Sequence, residues 1–353
     1  MSRNNHLPHS EAEADQPQPP SQDRIEHYEH VESLYWVFTQ LCNDHCDHCY
    51  NSSGPQGERI STDDCLEIID NLPPHIDRLI LSGGEPLADR KKFYAILERL
   101  EERYQGAVEI MVQTNGDLLT EKRLREMIEK GVTRFDIASI DRYHKKAGDR
   151  LEKLRELFAT QGVYTEKDPL ITKDNYVHGK RLTWGYWGAT EDMWLGGNWA
   201  RGRAVEMNNW KRDPNHNFCA VLSGGIGFLS GAPDIPQEIS IQLWAINPCC
   251  PGTKDAMGDA RREYIPQVLA EMEQSEIMQA LNRGDAYGMG ESMGVSREYA
   301  EKRGEDLQNI CLWCDEFFTH HYHMKPQKPL KGERSSAEIY HPARQKSRIT
   351  LKK

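Results

Sequence analysis

Leu34 to Phe38 is a short, unbroken apolar run closed by Thr39, the pattern of a buried strand, and it leads straight into Cys42. Ser61-Thr62-Asp63-Asp64 then opens an amphipathic helix through Leu66, Ile68, Ile69 and Leu72, stopped by Pro73-Pro74. A second strand is predicted over Asp77 to Leu81, closing on Ser82-Gly83-Gly84-Glu85-Pro86. A charged helix follows from Arg90 to Tyr104, with Phe93, Ile96, Leu97 and Leu100 on one face. The beat repeats with a strand over Val108 to Val112, ending in Gln113-Thr114-Asn115-Gly116, and a helix over Glu121 to Lys130. A fourth strand over Phe135 to Ile140 and a helix over Asp149 to Gln161 complete the regular part. Strand and helix alternating across short polar turns predict an α/β fold on a parallel sheet, open or closed into a barrel. In such folds chemistry is placed beyond the carboxyl ends of the strands, where the Cys, Gly-Gly-Glu and Thr-Asn-Gly segments fall.

After Gln161 the alternation fades. Residues 165–181 read as a polar loop, 183–203 are rich in Gly and Trp, and from Phe218 cysteines replace the strand–helix units. A boundary is expected near Met207–Asn217. Residues 1–30, rich in Asn, His, Pro, Gln and acidic residues, read as a disordered tail, and the Lys/Arg/Pro-rich segment 325–353 as an extended or loosely packed basic tail. The chain has 353 residues, 38% hydrophobic and 28% charged, enough for a catalytic domain and a smaller module. Its net charge of −11 argues against nucleic acid as a partner. No apolar run approaches the ~20 residues of a membrane helix, and no secretory signal opens the chain, so a cytoplasmic location is expected. Nine cysteines there point to metal or iron–sulfur chemistry rather than disulfides. Cys65, on the first amphipathic helix, reads as a core thiol.

Cys42, Cys46 and Cys49 have the spacing C-x3-C-x2-C. Three such thiolates can hold three irons of a cubane and leave the fourth iron open to a ligand. Zinc is the alternative, with His45 and His48 between the thiols, but zinc motifs come as two pairs and no second pair follows nearby. Placed directly after a first strand, the triplet resembles the radical S-adenosylmethionine (radical SAM) superfamily. Ser82-Gly83-Gly84-Glu85-Pro86 after the second strand is similar to the GGE turn of that family. The resemblance implies a partial (β/α)6, TIM-like barrel over 31–210, with a [4Fe–4S] cluster on the three cysteines. It also implies SAM bound near Gly83, Gly84 and Glu85, the Glu85 carboxylate lying beside the SAM amino group. Thr114-Asn115-Gly116 and Ala138-Ser139-Ile140-Asp141 resemble two further family segments, which adds Asn115 and Ser139 as SAM contacts and leaves Asp141 open. His48 stands where many members carry an aromatic residue.

Cys219, Cys249, Cys250, Cys311 and Cys314 remain. Glu238 to Gln242 reads as a strand, Pro248-Cys249-Cys250 follows it, and Cys311-Leu312-Trp313-Cys314 closes the set. This resembles the twitch module, a shortened SPASM extension, over 211–324. It implies an auxiliary [4Fe–4S] cluster on Cys219, Cys249, Cys311 and Cys314, with Cys250 as the alternative to Cys249. Arg201-Gly202-Arg203-Ala204 resembles a GRA segment found before that module. Four thiolates suit zinc as well.

The family resemblance implies reductive cleavage of SAM to a 5′-deoxyadenosyl radical that takes a substrate hydrogen, with a flavodoxin or ferredoxin as reductant. A polar small molecule is the expected substrate; a ribosomal precursor peptide is the second reading, and a non-catalytic iron–sulfur or zinc protein the third. Trp184 to Gly188 and Glu191 to Trp194 bring aromatics and carboxylates toward the expected mouth, where they line the site or pack the core. His320, His321 and His323 raise the same choice.

Overall fold

A computed structural model describes residues 19–141, 143–144, 149–165, 175–188, 197–220, 226–231, 234 and 236–322. Its centre is one sheet of eight strands in the order β10-β9-β8-β1-β2-β3-β4-β7. The first four parallel strands are β1 (His30–Val37), β2 (His75–Ser82), β3 (Glu109–Thr114) and β4 (Val132–Ile137). Helices α2 (Thr62–Asn71), α3 (Arg90–Tyr104), α4 (Glu121–Glu129) and α5 (Arg150–Ala159) follow them in turn. The expected alternation is therefore present, and the arrangement is α/β with a mostly parallel central sheet. The local signals explain it. Ser61 and Asp64 form a reciprocal capping box at the start of α2. Phe93, Ile96, Leu97 and Leu100 of α3 are all buried, as their spacing requires. Cys65 is fully buried in the core.

Three differences bear on the site. A fifth parallel strand, β7 (Thr183–Tyr186), pairs with β4 inside the segment expected to be irregular. Gly185 weakens the strand pattern, and the structure shows its use: a Cβ there would stand 3.2 Å from the Asp136 carboxylate on the neighbouring strand. Trp184 stacks on Phe158 at 4.7 Å between ring centres, so this tryptophan is core. Just before β7, β5 (Tyr176–Val177) and β6 (Lys180–Arg181) form a small hairpin in the segment read as a loop.

The sixth parallel strand does not follow β7 at that edge. It is β8 (Glu238–Gln242), which lies beside β1 at the other side and turns back through β9 (Ala245–Asn247) and β10 (Gly258–Asp259). The Glu238–Gln242 strand, expected within the auxiliary module, is thus part of the main sheet. Between β7 and β8 lies α6 (Gly202–Glu206); after β10 come α7 (Ile265–Glu273), α8 (Glu276–Asn282), α9 (Arg297–Leu307) and α10 (Ile310–His320).

Residues 22–28, within the segment read as a disordered tail, are folded. Helix α1 (Gln22–His27) packs on α7, and buried Tyr28 donates its hydroxyl to the Leu229 carbonyl. Residues 1–18, 191–194 and 323–353 lie outside the described residues. No described helix is long and apolar enough to cross a membrane.

Candidate active site

Phe38 to Leu41, leaving β1, is gripped from two sides. Gln40 N–H donates to Glu58 O, Cys42 N–H to Gly54 O, and Gly54 N–H to Gln40 O, which closes the base of the cysteine loop. From the other side the β2 turn contributes Gly84 N–H to Thr39 O and Glu85 N–H to Leu41 O. This approach explains the glycines. A Cβ on Gly84 would sit 2.5 Å from Leu41 O, and one on Gly57 only 1.8 Å from Gln40 O. Gly57→Ala is therefore expected to cost about 3 kcal/mol, since backbone must move. Urea unfolding of the metal-free variant would show it as an unchanged slope and an earlier midpoint.

Above this base Cys42, Cys46 and Cys49 line one cavity with Gly83, Gly84 and Asn115, so most of the residues singled out in the sequence converge. Burial, then neighbouring acidic groups, pushes the Cys42 thiol up to about 12, and burial raises Cys46 and Cys49 as well. Thiolates here need a cation beside them. Backbone N–H groups already point at two of the sulfurs: Asp44 N at 3.4 Å from Cys42 Sγ and Ser53 N at 3.2 Å from Cys49 Sγ.

Spacing separates the two metal chemistries. Four sulfurs on one tetrahedral zinc lie about 3.8 Å apart. Among the described residues, the grouping whose ligand atoms all come within 4.8 Å is His48, Asp141 and His144; neither cysteine set closes that far.

Two expected SAM contacts take different positions. Glu85 is fully buried, and its carboxylate accepts Leu87 N–H at 3.0 Å, Asn115 N–H at 2.8 Å and the Thr114 hydroxyl at 2.8 Å. It ties the end of β3 to the β2 turn from behind the cavity wall. Gly83 and Gly84 both line the cavity, and their carbonyls accept no backbone hydrogen bond from the turns and loops of the described residues. Ser139, also buried, donates to Asn115 O at 2.7 Å and supports that turn instead of lining the cavity. Asn115 does face the cysteines, its Nδ2 lying 3.8 Å from Cys42 Sγ.

Burial raises the Glu85 carboxyl to about 7, against the lowering effect of its three donors. The protonated form is thus favoured by folding; that stabilisation is complete below the unfolded value near 4.5 and is lost as pH rises through about 7. Relative to Glu85→Gln, the metal-free wild type should lose about 2–3 kcal/mol between about pH 5 and pH 8. Parallel melting curves at the two pH values would read it.

Several site residues escaped the sequence reading. Arg203, in the GRA segment, donates to Cys46 O at 2.7 Å, to Ser52 O at 3.1 Å and to Ser53 O, clamping the cysteine loop. Gly202 permits this with φ +51° and no room for a Cβ, which would meet Tyr50 O at 2.3 Å. Tyr35, Gln113 and Ser82 hydrogen-bond to one another in the cavity wall, which Trp187 and Trp199 also line. His144 is held by Asp141 at 2.8 Å and packs edge-on against His48. Burial alone would raise Asp141, but its hydrogen bond and the His144 and His48 charges bring it to about 2. Burial lowers His48 to about 4.

The second cysteine set also converges. Cys219 sits in a short turn, Cys249 follows β9, and Cys311 and Cys314 are one turn apart on α10. Their thiols act on one another electrostatically, Cys219 with Cys249 and Cys311, and Cys314 with Cys219 and Cys249. Cys250 points elsewhere, toward the Tyr50 hydroxyl at 3.2 Å, which leaves Cys249 as the member of the pair that joins the set. Buried Arg201 donates to Cys311 O at 2.6 Å and pairs with Asp315 at 3.2 Å. His321 packs on Trp313 and Phe317 rather than at the cavity.

Residues 36–159 match the family model of the Radical SAM superfamily. Solved structures similar to this chain include BtrN in complex with AdoMet and 2-DOIA, 15% identical, covering 72% of this chain and 89% of that one at a TM-score of 0.45. The enzyme anSMEcpe with AdoMet and a peptide is 13% identical over 79% and 99% of the two chains, TM-score 0.41. Streptococcus suis SuiB is 12% identical over 69% and 66%, TM-score 0.34. No curated protein matches the chain in sequence.

Proposed function

We propose that this chain, which carries a Radical SAM domain over residues 36–159, cleaves SAM reductively and uses the 5′-deoxyadenosyl radical to take hydrogen from a polar small molecule, the substrate's second electron leaving through an auxiliary cluster. One observation carries the reading: the three thiols of the C-x3-C-x2-C loop, one buried and two half-buried, line one cavity with Gly83 and Gly84 of the second turn. A [4Fe–4S] cluster bound there supplies one low-potential electron and an open iron for the amino and carboxylate groups of SAM.

The chain's own residues do the rest. Cys42, Cys46 and Cys49 hold the cluster, and Asp44 N–H and Ser53 N–H soften the charge on the sulfurs. Gly83 and Gly84, on the cavity wall, would offer backbone acceptors to the SAM ammonium. Glu85 and Ser139 keep the β2 and Asn115 turns in register behind that contact. Hydroxyl and carboxamide groups of Tyr35, Ser82 and Gln113, with the faces of Trp187 and Trp199, suit a hydroxylated or amino-bearing small molecule. Cys219, Cys249, Cys311 and Cys314 would hold the auxiliary cluster, and Arg201 would offset the charge of the thiolates. A flavodoxin or ferredoxin would deliver the first electron. Nine free cysteines fit a reducing compartment such as the cytoplasm.

The test is anaerobic reconstitution with iron and sulfide, an iron count, and SAM cleavage under dithionite. About eight irons with 5′-deoxyadenosine formed is the expected result. A well-loaded, reducible protein that releases no 5′-deoxyadenosine, with candidate polyols and amino sugars present, would rule the reading out.

A further inference from the structure

In each cysteine set one ligand candidate is followed directly by a residue that reaches toward the other set. Tyr50 directly follows Cys49, and Cys250 directly follows Cys249. Between them the Tyr50 hydroxyl and the Cys250 sulfur are in contact at 3.2 Å, although the two residues are 200 positions apart. From Cys49 to Cys249 the path is covalent except for that one step. The contact is held in place. The Tyr50 ring packs edge-on against Trp199 at 5.0 Å, its hydroxyl lies 3.3 Å from that of Tyr35, and Gln242 Nε2 donates to the Cys250 carbonyl. Cys250 and Tyr35 are buried, and Tyr50 is half-buried at the cavity wall.

We propose that the Tyr50–Cys250 contact is the electron path between the two cysteine sites. The inference rests on the two-cluster reading above. One electron leaves a reduced cluster on Cys219, Cys249, Cys311 and Cys314 and arrives at the oxidised cluster on Cys42, Cys46 and Cys49; no bond forms or breaks in the protein. The consequence is that an electron taken from the substrate can drive the next SAM cleavage. The same contact gives Cys250 a purpose that ligation does not.

The experiment reduces the reconstituted protein, removes the reductant, and mixes it with SAM alone. Deoxyadenosine is followed in time together with the electron paramagnetic resonance signal of the four-cysteine cluster. In wild type a second phase of deoxyadenosine should accompany decay of that signal. Tyr50→Phe and Cys250→Ala should each lose the second phase and keep the signal, with iron content equal to wild type. Equal decay in wild type and both variants would overturn the proposal, as would a wild-type signal that never decays. About eight irons with that outcome overturns the path alone, whereas about four irons overturns the two-cluster reading with it.

Discussion

Replacing Cys42, Cys46 and Cys49 together by alanine is expected to abolish 5′-deoxyadenosine formation entirely while about four irons stay bound. The loss should be total because nothing nearby can substitute. Around the cavity the remaining donors are His48, Asp44 and His144, and His48 sits with His144 and Asp141 in a separate group of nitrogen and carboxylate ligands. Such a group suits a lone divalent ion and has no thiolate to hold the irons of a cluster. The irons that remain would belong to Cys219, Cys249, Cys311 and Cys314, which lie on other elements and keep their own supports, Asn217 for Cys219 and Asn309 for Cys311. Retention of zinc in place of those irons would leave the radical enzyme standing and remove the redox role of the second site. Deoxyadenosine made by the triple variant would contradict the assignment of the cavity itself.

Arg203→Ala should come close to the same phenotype without touching a ligand. Its guanidinium serves three backbone carbonyls of the cysteine loop, and a hydrogen bond to a charged group contributes about 1.5–3 kcal/mol. Removing all three leaves buried carbonyls unpaired and frees the loop by about 5 kcal/mol, comparable with the stability of a whole domain. Iron should fall from about eight toward about four, and deoxyadenosine by at least about tenfold. Arg203→Lys, which keeps the charge but loses the planar fork, should fall between. Iron counts on the two variants, beside a circular dichroism spectrum that shows an intact fold, would decide it. Full iron in Arg203→Ala would mean that the loop holds itself.

The division between what could be read in advance and what could not follows distance along the chain. Helix α3 was legible to the residue, because its apolar stripe and charged face are local facts. The cysteine triplet and the Gly-Gly-Glu turn were legible because their chemistry depends on spacing over a few residues. Strand β7 was hidden by Gly185 and by tryptophans that give no alternation. The role of Arg203 was out of reach for a different reason: its partners lie about 150 positions away, and a three-residue motif says nothing about what it touches. Glu85 shows a third kind of limit. Its position beside the ligand turn was evident, but side-chain direction was not, and the carboxylate turns inward to the backbone of Asn115.

The placement of β8 beside β1 has a consequence for how the protein is made. Ser33 and Glu238, joined by a hydrogen bond across that pair, are 205 residues apart, a very long loop to close. At 5–20 residues per second, β1 of a nascent chain waits roughly 10–40 s for its partner, with an unpaired edge exposed meanwhile. The chain therefore has no natural cut near residue 210: a fragment ending there keeps the first cysteine site yet presents β1 as an open edge, and it should aggregate during refolding where the full chain does not.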